Sequence, residues 1–364
     1  MAELLKHRYN KALIKSLCGA LVSEYPSFDH EKFNDYVFDE LWEGKELKTR
    51  MLHVSSALYE FLPMKYEEAL QILKPVSSNF SGFEFMIFPS FVEIYGFLPE
   101  NLDQLSESIK ALEYFTAYSS SEFAVRPFIQ QYPERMMVQM AEWARSPNEH
   151  VRRLSTEGCR PRLPWAMALP MFKEDPDPVL SILELLKDDN SVYVRRSVAN
   201  NLNDISKDHP QLVINVARAW QGLSKETDWV VKHACRTLLK QGEPNTMALF
   251  GFSEPKHIRV DDFYVQDSLK MGGGLQFSFT LSSQKTKLGK LRVEYAIDFV
   301  KNNGKLARKV FCISESENNV SQKVINKTHS FKEISTRKYY SGKHSLAIIV
   351  NGYELGSGQF ELQV

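Results

Sequence analysis

The chain has 364 residues, 45 basic and 45 acidic side chains and a hydrophobic share of 43%. That length allows two or three domains and a substantial core, and a balanced total charge by itself selects neither a polyanionic nor a cationic partner. No stretch approaches the roughly 20 apolar residues of a membrane span. Cys18, Cys159, Cys235 and Cys312 are scattered, with no C-x-x-C pair, which argues against a zinc site and a disulfide framework and fits a reducing compartment.

The start, MAELLKHRYNKALIKSL, reads as a charged amphipathic helix without the apolar centre of a signal peptide. A soluble, cytoplasmic protein is therefore expected. From about residue 3 to 242 apolar residues recur at three- and four-residue spacing, as in Phe33, Val37, Phe38 and Leu41, or Met51, Val54, Leu58, Phe61 and Leu62. Breaks at Pro26, Pro63, Pro75, Pro99, Pro147, Pro176, Pro210 and Gly242 predict a succession of helices joined by short loops. In the clearest unit, VLSILELLKDD turns at Asn190-Ser191 into VYVRRSVANNLNDISKD, which ends at Pro210.

Val151-Arg152-Arg153 recurs as Val194-Arg195-Arg196 and again as Val231-Lys232-His233. The spacing suits HEAT-like two-helix repeats of roughly 40–47 residues, with one short unit. Equivalent positions of a solenoid line up along one face, so the three basic pairs are expected to form a ridge suited to a polyanion. The helical domain is expected to span 1–245.

Residues 243–256 carry two prolines and no periodicity and read as a linker. Beyond it, Ile258–Val265, Leu275–Leu281, Leu291–Phe299, Ala307–Ile313, Lys323–Phe331, His344–Val350 and Gln359–Val364 have the alternation or β-branched and aromatic content of strands. Asn303-Gly304 and Asn351-Gly352 are hairpin signals. The expected fold is mostly α with a β domain: a HEAT-like solenoid followed by a small immunoglobulin-like β-sandwich at 256–364. Charge is uneven along this plan. Residues 1–119 hold 11 basic and 18 acidic side chains, 120–255 hold 17 of each, and 256–364 hold 17 and 10. The β domain's surplus, which includes Lys285, Lys287, Lys290, Arg292, Lys301, Lys305, Arg308 and Lys309, points to a contribution to polyanion binding.

The segment HVRRLSTEGCRPRLPWA gathers Arg152, Arg153, Arg160 and Arg162 around Glu157, with Trp165 at its end. Together with the upstream SSEFAVRPFI and the later NSVYVRRSVANNLNDISKDHP, it resembles the helical-repeat DNA alkylation repair glycosylases. The nearer resemblance is to the AlkC branch, which adds an immunoglobulin-like domain absent from the AlkD branch. It is most specific between about residues 119 and 210, whereas residues 1–100 match only as generic repeat. The resemblance implies a monofunctional glycosylase of base excision repair acting on double-stranded DNA. Its substrates would be cationic alkylated bases such as 3-methyladenine and 3-methylcytosine, attacked without full extrusion of the base.

The residues are consistent with that chemistry. A cationic base is already a good leaving group, so a carboxylate need only stabilise the positive charge developing on the sugar and position a water, helped by an aromatic face. Glu157 and Trp165 form the natural pair, with Glu157 expected nearest the sugar. Glu122 and, more remotely, Asp204 are further carboxylates. Arg126, Arg152, Arg153, Arg160, Arg162, Arg195, Arg196 and Lys232 are the expected phosphate contacts. No cofactor or metal is expected, and a monomer is.

Plainer readings stand beside these. Glu157 would be ion-paired within its repeat to Arg153 or Arg160, Trp165 would cap the repeat core, and Arg195 and Arg196 would join repeats. Trp143 and Trp220 read as core and Trp229 as ambiguous, while His209, His233 and His257 read as surface. A non-catalytic scaffold, or a DNA-binding relative that has lost catalysis, is the alternative. No lysine lies between His150 and Met171, which argues against a Schiff-base mechanism.

Overall fold

A computed structural model describes residues 5–97, 102–284, 287–334 and 337–364; Pro99 and Lys285 fall outside them. Among the described residues, sixteen α-helices run from Lys11–Glu24 to Pro244–Leu249, and eight strands follow. None of the described helices is long and apolar enough to cross a membrane. The chain divides into two compact units, Met1–His209 with Trp220–Ala234, and Pro210–Ala219 with Cys235–Val364.

In the first unit the repeated Val-Arg-Arg phrase has a physical meaning. It begins the second helix of successive pairs, Pro133–Trp143 with Glu149–Glu157 and Asp177–Leu186 with Val192–Ile205. Val151, Val194 and Val231 are all buried in the repeat core. The following arginine folds back on the inter-helix loop. Arg152 donates to the carbonyls of Ser146 and Pro147, each at 3.0 Å, and Arg195 donates to those of Asp189 and Asn190. Loop carbonyls that no helix satisfies thereby gain partners.

Three local expectations need correction. The first helix does not begin at the N-terminus: a 3-10 turn Leu5–Arg8 precedes it, and Asn10 caps Lys11–Glu24 by accepting from Leu13 N. Pro75 does not end its helix but sits within Tyr66–Ser77, near its C-terminal end, at the cost of the one bond its missing N–H would have made to the carbonyl four residues earlier. The expected linker contains a helix, Pro244–Leu249, with proline at its first position and the Glu243 carboxylate accepting from Asn245 N and Thr246 N.

The second unit carries a two-sheet sandwich of β1 (Ile258–Val265), β2 (Ser268–Lys270), β3 (Gly274–Ser283), β4 (Gly289–Val300), β5 (Leu306–Asn318), β6 (Gln322–Ser330), β7 (Gly342–Val350) and β8 (Tyr353–Gln363). One sheet has the order β1-β3-β6 and the other β2-β8-β7-β4-β5. All pairings are antiparallel except β2 with β8. The three-residue β2 is too short to show a pattern and has no sequence signal. Leu275, Phe277, Phe279 and Leu281 alternate inward from β3 to meet Val293, Ile297, Leu346, Ile348 and Phe360. Both hairpin signals lie at turns, β4–β5 at Asn303-Gly304 and β7–β8 at Asn351-Gly352. The second has both central residues at positive φ, 48° and 85°, as a type I′ turn requires.

The β7–β8 turn also meets the left-handed end of helix Arg236–Gln241. A Cβ on Gly242 would lie 2.9 Å from Gly352 Cα, and one on Gly352 would lie 2.8 Å from Gly242 Cα. Both glycines have positive φ, so a side chain at either position meets an unfavourable backbone and a collision together. Gly242→Ala and Gly352→Ala are each expected to lower stability by about 2 kcal/mol. Urea unfolding should show reduced midpoints for both, with the double variant less destabilised than the sum because the two sites share one contact.

Candidate active site and nucleic-acid interface

Helix Glu149–Glu157 starts at Asn148, whose side chain accepts from His150 N at 2.9 Å. Over its last turn and the loop beyond, charged side chains of both signs alternate in space. Glu122 Oε2 accepts hydrogen bonds from Ser120 Oγ at 2.8 Å and from Arg153 Nη1. Arg153 Nη2 lies 3.5 Å from Glu157 Oε1, which also accepts from Arg160 Nη1 at 2.7 Å. Arg160 Nε then donates to Asp204 Oδ2 at 2.9 Å, and Asp204 Oδ1 accepts from Lys207 Nζ at 3.1 Å. Three carboxylates thus alternate with three cations.

The alternation is what allows the row to be buried. Glu157, Arg160 and Asp204 are 5%, 7% and 2% exposed, and each would be costly there without its partners. Burial pulls the Arg153 and Arg160 pKa values down. The adjoining carboxylates outweigh it and hold both above the ordinary arginine value, Glu157 and Glu122 at Arg153, Glu157 and Asp204 at Arg160. Cys159, fully enclosed nearby, is pushed up to about 12 by burial; it stays a thiol and is no nucleophile.

Glu122 and Arg153 line a cleft of about 430 Å³, together with Phe83, Tyr118, His150 and Tyr193. The Arg153 guanidinium lies 4.9 Å from the Tyr193 ring centroid. Glu157 is not on the cleft wall but behind Arg153. Sequence reasoning missed Tyr193 and Phe83. The signal for Tyr193 was available: it precedes Val194 as His150 precedes Val151, and the two rings meet at 5.7 Å.

Trp165 does not cap the core. It is 67% exposed and has φ of 65°, a conformation costing a non-glycine residue about 1–3 kcal/mol. The Phe83 ring meets it edge-on at 6.4 Å. Arg126 secures the same loop, donating to the carbonyls of Gly158 at 2.8 Å and Met167 at 2.7 Å.

The arginines and lysine expected to contact phosphates meet different surroundings along the fold. Arg126 is 0% exposed, its pKa lowered by burial to about 10, and it is a loop anchor. Arg152 and Arg195 are committed to repeat loops, and Arg160 is enclosed between Glu157 and Asp204. Arg152 also makes a two-point ion pair with Asp189, at 2.6 and 3.1 Å. Arg162 pairs with Asp208 but stays partly exposed, and Lys232 is half-buried. Arg196 is exposed and forms no ion pair among the described residues. In the β domain, Arg308 is held by Asp298 and Glu354 and Arg292 by Glu294 and Glu315, whereas Lys301 and Lys305 are exposed. Trp143 and Trp220 are core residues; their ring nitrogens donate to Glu113 and Glu184.

Comparison with known proteins gives two family models on this chain. One, described as DNA alkylation repair enzyme, matches residues 99–238; the other, the C-terminal Ig-like domain of the uncharacterised protein YhaZ, matches 259–364. The uncharacterized protein YhaZ of Bacillus subtilis (strain 168) is 47% identical over 364 residues, all of both chains. Among solved structures, the Pseudomonas fluorescens alkylpurine DNA glycosylase AlkC, bound to DNA containing an abasic site analog, is 36% identical. That match covers 100% of both chains with a TM-score of 0.94.

Arg152→Ala tests the commitment of that arginine to its repeat loop. It strands Asp189 and two loop carbonyls, and should cost about 2 kcal/mol of stability in this half-buried setting. Thermal unfolding should show the loss, while the salt dependence of DNA binding at a temperature where the variant is folded should match wild type.

Proposed function

Because the chain belongs to the DNA alkylation repair enzymes and has the AlkC-type arrangement of helical region and Ig-like domain, we propose that it is a monofunctional DNA glycosylase for cationic alkylated bases such as 3-methyladenine and 3-methylcytosine. The observation that carries this reading is the cleft that Glu122 shares with Arg153, backed by Glu157 and flanked by an exposed, strained Trp165. The reaction is hydrolysis of the C1′–N bond. The bonding pair leaves with the base and neutralises its charge, water adds to C1′ and loses a proton, and an abasic site remains. Glu122, on the cleft wall, is the carboxylate that stabilises the cationic sugar and orients the water. Glu157 fixes Arg153 from behind, and Asp204 fixes Arg160. Trp165 offers its ring face to the cationic sugar or base. The protein acts as a monomer in the cytoplasm, on duplex DNA.

Pure protein should release methylated bases from methylated duplex DNA, with full activity in a chelator. No release of any methylated base would put the scaffold reading ahead. Glu122→Gln and Glu157→Gln should each lower the single-turnover rate about 10²-fold or more, equivalent to about 3 kcal/mol, while still binding DNA. Wild-type rates in both would sink the catalytic assignment. Trp165→Ala should also slow release.

Phosphate contact is assigned to Arg153, Arg162, Arg196 and Lys232, with Lys301 and Lys305 near the β4–β5 turn as the β domain's share. Arg196→Ala should weaken binding to damaged and undamaged duplex equally, and make the slope of log affinity against log salt shallower by about one unit. A loss confined to one sequence context would mean base readout instead.

A further inference from the structure

Lys48 lies on helix Leu47–Phe61, outside the residues 99–238 matched by the repair-enzyme model. Its Nζ donates to the carbonyl oxygen of Trp165 at 3.2 Å and stands 5.6 Å from the centroid of the Phe123 ring. Phe123 is 6% exposed and adjoins Glu122 in the chain. One ammonium group thus links the backbone of Trp165 to the residue beside Glu122, across 117 positions of sequence.

Trp165 needs such a link. An indole 67% exposed is not fixed by packing, and a backbone at φ of 65° relaxes unless something holds it. Arg126 holds the loop two residues further on, at the Met167 carbonyl. The Lys48 bond is at Trp165 itself, and the Phe83 ring that meets the indole also lines the cleft with Glu122. We propose that Lys48 is a positioning residue: it holds the Trp165 backbone so that the indole stays beside Phe83 at the cleft, and it acts on the reaction only through Trp165. This rests on the role assigned above to Trp165.

The test is Lys48→Met, which keeps an unbranched apolar side chain of similar length and removes the ammonium. At saturating enzyme, single-turnover base release should fall about tenfold, while affinity for undamaged duplex and its salt slope stay at wild-type values. Lys48→Arg should recover most of the rate. In protein carrying 5-fluorotryptophan, the fluorine resonance that disappears in Trp165→Phe should shift and sharpen in Lys48→Met, with the other four tryptophan signals unmoved. A saturating rate within twofold of wild type overturns the proposal. So does weaker DNA binding with a shallower salt slope and an unmoved Trp165 resonance, which would make Lys48 a phosphate ligand. If wild-type protein released no base, the proposed function would fall. The resonance would then decide alone: movement supports the positioning role and its absence overturns it.

Discussion

Arg153 stands between Glu122 and Glu157, and the candidate site depends on that one guanidinium. It contacts both carboxylates at once, Glu122 through Nη1 and Glu157 through Nη2, and its planar fork gives each a set direction. The remainder of the row follows from the same constraint. Glu157 is buried, so it requires Arg160 as well; Arg160 is buried, so it requires Asp204; and Lys207 closes the series at the surface. Each inner member thus has an oppositely charged neighbour on both sides, and removing one thins the compensation of the charges beside it.

The repeat explains how the fold delivers Arg153 to that position. In each Val-Arg-Arg phrase the valine fills the core, the first arginine closes the loop before its helix, and the second points away from that loop. At Arg153 the second arginine faces Ser120, Glu122 and Tyr193; at Arg196 it is exposed. One structural rule thus sets the second arginine between carboxylates in one repeat and, among the described residues, leaves it without an ion pair in the next. Arginine content alone overstates the exposed cationic surface, because the first arginine of each pair is committed to a repeat loop.

Trp165 shows the complementary strategy. The acidic and basic groups are fixed by enclosure, whereas the indole is left in solvent and fixed through its backbone, by Lys48 at its own carbonyl and by Arg126 at that of Met167. The role proposed for Trp165 requires an accessible ring face, which a tryptophan packed into the repeat core could not offer, and here the exposed indole goes with a strained φ.

The sequence by itself determined the helical and β regions, because three-and-four periodicity and two-residue alternation each permit one way of burying apolar side chains. It also marked both hairpin turns, since Asn-Gly meets their need for positive φ, and it brought Glu122, Glu157, Trp165 and Asp204 forward as candidates. Only the tertiary structure decided what each charge does. Arg126, Arg152 and Arg160 look like Arg196 in the sequence, yet three are enclosed by carbonyls and carboxylates and one is not. Which carboxylate borders the cleft, and that a lysine on an early helix reaches Trp165, are likewise set by contacts between residues far apart in the chain. Periodicity records which face of an element is buried; it carries no record of which distant partner meets that face.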